Sequence, residues 1–231
     1  MMTNDFDISH RYIATVAAGL YVDAPLSKRM LYRWRDAICP FGVLMDAIPP
    51  GSSVLDVGCG GGLFLLLLAA SGRLASGAGI DVCPAAIAVA RQAALRLETV
   101  SNVSPKTCEF TLAAAWNDWP RGPFDVVSMI DVMHHVSPPL QRPFLAEAAK
   151  RLTPGGILLY KDMCRRPLLF AAANRLHDLI LARQWIHYVP LDDISRWAGD
   201  EGLAVERRLS YRRFLYGHEM IVFRHRMTSQ R

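Results

Sequence analysis

The stretch that most limits what this chain can become is Val54-Leu55-Asp56-Val57-Gly58-Cys59-Gly60-Gly61-Gly62. Apolar residues around a single acid read as the end of a buried strand. The glycines that follow let the backbone turn sharply and approach a ligand closely, because no Cβ stands in the way. Leu63 to Ala70 then continues as an apolar run that reads as a helix. Strand, glycine loop and helix in that order form the unit that binds nucleotide-like ligands at the carboxyl edge of a parallel sheet. The wording of the loop argues against two such ligands. A dinucleotide fingerprint needs Gly-x-Gly-x-x-Gly, and counting from Gly58 its third glycine falls on Leu63. A phosphate loop needs Gly-Lys-Ser/Thr, and no lysine follows here.

The downstream segments extend the same architecture. Gly77-Ala78-Gly79-Ile80-Asp81 reads as a second strand ending in an acid, which can hold both hydroxyls of a ribose. Cys83-Pro84 opens a helix from Ala85 to Leu97, with proline near its first turn. Phe124 to Ile130 is a central strand leading into Asp131-Val132-Met133-His134-His135-Val136. A helix from about Pro139 to Leu152 closes at Thr153-Pro154-Gly155-Gly156, and Ile157 to Tyr160 is the next strand. In order, spacing and wording, Ser53 to Asp162 resembles the small-molecule branch of the class I S-adenosylmethionine-dependent methyltransferases.

That resemblance implies an α/β, Rossmann-like, doubly wound mixed sheet of seven strands in one domain over 1–231, with a carboxyl-terminal antiparallel hairpin. The hairpin is expected at Val205–Ser210 and Met220–Phe223. Residues 1–48 read as an amino-terminal arm and a helix, mostly Ser27 to Ile48, whose Tyr32-Arg33-Trp34-Arg35 is either a wall over the cofactor or a packing cluster. Residues 163–190 are a helical cap insertion over the cleft.

The implied cofactor is S-adenosyl-L-methionine, a sulfonium with no phosphate for the loop to neutralise. By resemblance, Asp56 sits near the methionine amino group, Gly58 and Gly60 line the methionine moiety, and Asp81 holds the ribose. Val82, Trp116 and Asp131 complete the cofactor-binding set. Many relatives carry an acid after the third strand for the adenine amino group. Here that position is Ala115, so backbone groups and the apolar faces of Val82 or Trp116 are left for adenine, with Asn117 or Asp118 as substitutes.

Methyl transfer is an in-line displacement, and the protein's main task is to hold the acceptor close and aligned. A hydroxyl acceptor must also lose a proton to a base. His135 and His134 follow the central strand, where the acceptor is expected, and His135 is the favoured base; His187 is the runner-up. A structural role for the histidine pair stands beside that reading. Asp131, His134 and His135 also occupy positions where some ubiquinone-pathway O-methyltransferases carry acid, acid and histidine as metal ligands. The second histidine weakens the match to magnesium, which prefers oxygen, and no metal is expected.

Composition narrows the remaining choices. Five scattered cysteines with no Cys-x-x-Cys pair, and an acidic amino terminus without a basic leader, fit a reduced cytoplasmic protein. The formal charge of +5 lies wholly in residues 160–231. It suits an acidic acceptor or a membrane surface contacted by Arg165, Arg166, Arg175 and Arg183. No RNA-binding module or base-methylating motif is present, so nucleic acid is not expected. The expected activity is O-methylation of a small apolar or aromatic hydroxyl or carboxyl acceptor. A lipid-headgroup or amine methyltransferase and a catalytically silent partner subunit are the alternatives.

Overall fold

The computed structural model describes residues 10–163, 187–213 and 216–226. Three helices open the chain: α1 (His10–Leu20), α2 (Leu26–Ile38) and α3 (Phe41–Asp46). The sheet then alternates with helices as β1 (Ser52–Val57), α4 (Leu63–Ala70), β2 (Leu74–Asp81), α5 (Pro84–Ala94), α6 (Leu97–Ser101), β3 (Cys108–Leu112) and β4 (Phe124–Ile130). It continues with α7 (Pro138–Ala149), β5 (Leu152–Met163), α8 (Leu191–Asp200), β6 (Leu203–Arg213) and β7 (Tyr216–His225).

The seven strands lie in the order β3-β2-β1-β4-β5-β7-β6. The first five are parallel, and β7 inserts antiparallel between β5 and β6. This is the mixed sheet with a terminal hairpin that the motif order implies. The strand order reverses between β1 and β4, so the carboxyl ends of β1, β2 and β4 open a crevice there.

Strand alternation divides the core between two faces. Val54 and Val126 face one layer, with α1, α3, α4 and α5; Leu55, Val57, Val127 and Met129 face the other, with α7 and α8. Leu63 to Ala69 are all buried, so α4 is apolar around its circumference, as a helix covered on every side must be. Truncating Leu66, which is fully buried, to alanine is expected to cost about 2–5 kcal/mol.

Several predicted boundaries move: the helix expected to run to Leu152 ends at Ala149, and the strand expected at Ile157–Tyr160 spans Leu152–Met163. The single helix expected over 27–48 is broken into α2 and α3 at Cys39-Pro40. Proline has no N–H and pushes the preceding residue out of the helical region; Cys39 is extended, at φ −121° and ψ 122°. Buried Asp36 secures the break. It accepts from the Phe41 N–H at 3.0 Å and pairs with His10 of α1. The helix expected over 85–97 ends at Ala94, and Leu97 starts the short α6. Of the cap expected over 163–190, residues 164–186, with their four arginines, lie outside the described residues.

Candidate active site

The glycine loop is built by its neighbours. The N–H groups of Gly58 and Cys59 both donate to the Ile80 carbonyl, at 2.9 and 3.0 Å, and bind the loop to the end of β2. Gly58 has φ +77°, and a Cβ there would overlap the Val132 side chain. Both facts demand glycine. Tyr21 and Tyr32, from the end of α1 and from α2, stack with ring centroids 3.9 Å apart. The Tyr21 hydroxyl donates to the Gly61 carbonyl at 2.7 Å, and Tyr32 lies so close that a Cβ on Gly61 would overlap its hydroxyl. The amino-terminal helices thus cover this loop. Of the expected wall, Tyr32 reaches the loop and Arg35 reaches Asp131, whereas Arg33 and Trp34 are exposed.

Asp81 terminates β2 with both carboxylate oxygens engaged by backbone. Oδ2 accepts from Gly60 N–H and Oδ1 from Cys83 N–H, each at 2.8 Å. The carboxylate is thereby locked in orientation and still lines a cavity of about 460 Å³ at the crevice. Gly58, Val82, Trp116, Asp131 and His135 line the same cavity, joined by Ile80, Ala113, Trp119, Val132 and Phe144. A space of this size with apolar walls and a few convergent polar groups suits a nucleoside-sized ligand.

Three expected site residues sit elsewhere. Asp56 lies beneath the loop, 3% exposed, with one oxygen accepting from Ser128 Oγ at 2.7 Å. Burial pushes its carboxyl up to about 7, against the lowering effect of the Ser128 hydrogen bond, with nearby Asp81 adding to the rise. Gly60 acts through its N–H on Asp81 and does not line the cavity. His134 is buried, with Nδ1 2.5 Å from Asp162 Oδ1 and its own N–H donating to Asp162 Oδ2 at 3.2 Å.

Ala115 stands where the resemblance implies an acid for adenine. Its N–H donates to Asp118 Oδ2 at 3.1 Å, which commits that carboxylate to its own turn. Val82, Ala113, Ala114 and Trp116 line the cavity at this end. Trp119 and Phe144 close one wall in an edge-on contact, with ring centroids 5.1 Å apart, and Arg151 covers the far side of Trp119.

The turn carrying the histidines, Met133–His135, is a single 3₁₀ turn. It exposes His135 and buries His134, with ring centroids 4.1 Å apart. Gln141 fixes this turn: its side-chain nitrogen donates toward the carbonyls of Met133, Val136 and His187, at 3.5, 3.2 and 3.1 Å. The His187 N–H donates to the His134 carbonyl at 2.9 Å, so the runner-up base supports the turn through its backbone.

Sequence reasoning missed Lys161 and Asp162 at the end of β5. Lys161 Nζ stands 2.6 Å from both oxygens of Asp131, and Arg35 approaches the same carboxylate at 3.7 Å. Burial works to raise the Asp131 pKa, but Lys161 and then Arg35 outweigh it and bring it down to about 2. The signal available was a lysine-acid pair inside an apolar strand. The acid and histidines that resemble a metal set do not converge: Asp131 is taken by Lys161, and His134 Nδ1 by Asp162. Among the described residues no cluster of three or more His, Cys, Asp or Glu is arranged to hold a metal ion.

A glycine loop and a strand-terminal acid beside one cavity at the sheet's crevice suit a nucleoside-bearing ligand. A family model described as a methyltransferase domain matches residues 26–207. Ubiquinone biosynthesis O-methyltransferase of Pseudomonas paraeruginosa is 31% identical over 77% of this chain and 80% of its own length. The protein of that name from Alkalilimnicola ehrlichii is 32% identical over 67% of this chain and 62% of its own length. Magnesium protoporphyrin IX methyltransferase from Synechocystis, solved with S-adenosylhomocysteine bound, has the same fold, with TM-score 0.66 and 18% identity over 89% of this chain and 90% of that one. The chain belongs to the S-adenosylmethionine-dependent methyltransferases of class I. Among its described residues no helix is long and apolar enough to cross a membrane.

Proposed function

We propose that this methyltransferase acts on an oxygen, a hydroxyl or a carboxylate, of a small apolar or aromatic acceptor. The observation that carries this reading is the exposed His135, which lines the cavity beside Asp131 at the carboxyl end of the central strand. Relatives at about 30% identity that are named for O-methylation in ubiquinone biosynthesis support the oxygen acceptor. Free cysteines at 39, 59, 83 and 108 support a cytoplasmic setting.

When bound, S-adenosylmethionine supplies an electrophilic methyl group. Asp81 offers its fixed carboxylate to the ribose hydroxyls, and Val82 and Trp116 offer apolar surface to the adenine. Gly58 lines the part of the cavity offered to the amino-acid portion, and Arg35 supplies positive charge nearby. His135 receives the proton that a hydroxyl acceptor gives up; for a carboxylate it orients the oxygen. His134, held by Asp162, backs the His135 ring and is a positioning residue.

The test is a screen for S-adenosylhomocysteine release across phenols, fatty acids, amines and lipid headgroups. With a hydroxyl acceptor found, His135→Ala is expected to lower turnover about 10²–10⁴-fold and to remove the acidic limb of the pH profile. Near-native turnover would end the assignment. Tight cofactor binding with no turnover on any acceptor would favour a silent partner subunit instead.

A second reading, an acceptor met at a membrane surface, is favoured by α2. Leu26, Met30 and Trp34 are exposed on one side of it, with Lys28, Arg29 and Arg33 nearby. Sedimentation with anionic and neutral vesicles separates the readings, and no binding to anionic vesicles at low salt removes the second.

A further inference from the structure

The carboxyl ends of β4 and β5 hold a buried charge cluster that the transfer of a methyl group does not by itself require. Asp131 directly follows β4 and has φ +53°, unusual for a residue with a Cβ. Its N–H donates to the Lys161 carbonyl at 2.8 Å, while its two carboxylate oxygens each sit 2.6 Å from Lys161 Nζ. Backbone and side chain therefore clamp the same two residues together. Lys161 is 1% exposed, so its ammonium contacts the carboxylate rather than solvent. Only four of the chain's 26 basic residues are lysines. Burial alone would lower the lysine's pKa, yet Asp131 holds it above its ordinary value, so the pair is ionised.

We propose that Lys161 is the resident cation of this site, standing where a divalent ion would otherwise bind Asp131, and that the protein binds its acceptor without metal. A divalent ion chelates two neighbouring oxygens; an ammonium saturated by Asp131 cannot. Resting on the oxygen-acceptor reading above, this means that one acceptor oxygen suffices and a vicinal second oxygen is not required.

The first test needs no acceptor. Calorimetry of the EDTA-treated protein with Mg²⁺, Mn²⁺ or Zn²⁺ alone is expected to show no binding at this site, and cofactor affinity to stay within about 2-fold after EDTA treatment. Binding of any of these ions that disappears in Asp131→Asn overturns the proposal. The second test separates charge from packing. Lys161→Met removes the ammonium and leaves the Asp131 carboxylate, so the same titration with Mg²⁺, Mn²⁺ or Zn²⁺ is expected to show binding in this variant that the parent lacks. Removing the acid as well, in Lys161→Met/Asp131→Asn, abolishes that binding and recovers thermal stability relative to the single variant. A folded Lys161→Met that takes up none of these ions overturns the proposal; if that single variant does not fold, the metal titration of the parent decides. In the last test, a monohydroxy phenol is expected to turn over within about 10-fold of the matching catechol, with no Mg²⁺ requirement. Turnover of the catechol alone, and only with Mg²⁺, overturns the inference, whereas silence on both phenols counts against the acceptor assignment and leaves the metal titration standing.

Discussion

Asp56→Asn is expected to make the ligand-free protein more stable, and to do so only above acidic pH. Asp56 is buried under the glycine loop and accepts from Ser128, and burial lifts its carboxyl from 3.8 to about 7. In the unfolded chain it ionises at its ordinary value, so over the interval between the two the native state holds a proton that the unfolded state has released. Stability then falls as pH rises through that interval. Below about pH 4 both states hold the proton and this residue contributes no difference; above about pH 7 the whole difference is lost, on the order of 4 kcal/mol. Asparagine keeps the shape and the acceptor for Ser128 but never ionises. Urea unfolding of both proteins from about pH 4 to about pH 8.5 isolates the effect, because every other titrating group is shared. The stability difference is expected to grow from near zero to a few kcal/mol across that range. Parallel profiles would refute the reasoning and show that Asp56 stays ionised through interactions stronger than its burial.

The remaining predictions concern the cofactor loop. Asp81→Ala removes the acceptor of two backbone N–H groups along with the ligand-facing carboxylate, and calorimetry is expected to show cofactor affinity weakened about 10- to 100-fold. Gly61→Ala sets a methyl group against the Tyr32 hydroxyl; thermal and urea unfolding are expected to show a loss of about 1–3 kcal/mol. Tyr32→Ala in the same chain should relieve part of that loss, and additive effects would remove the contact from the explanation.

The sheet was legible because strand and glycine signals are local. Phe124–Ile130 is found at the predicted residues, and the strand read at Gly77–Asp81 ends where predicted and begins three residues earlier, at Leu74. The family resemblance implied Asp81, Gly58, Val82, Trp116 and Asp131, and the position of His135 after the central strand singled it out; all six line one cavity, since each lies at or near the end of a strand that converges on the crevice. What escaped depends on pairing across strands. Nothing local to Lys161 says that its ammonium meets Asp131, because the contact arises from the register that sets Ile130 beside Lys161. The division of labour between His134 and His135 was equally hidden. A single 3₁₀ turn sends adjacent side chains in different directions, and only the position of Asp162 decides which ring is buried. The break at Pro40, by contrast, was written in the sequence and outweighed by the helical wording on either side.

Gln141 couples parts of the chain that are far apart in sequence. One amide serves the carbonyls at both ends of the histidine turn and that of His187, 46 residues further on. The His187 N–H returns the tie by donating to the His134 carbonyl. Gln141→Leu would therefore loosen the histidine turn and the chain at His187 in one step, while the strands on either side keep their register.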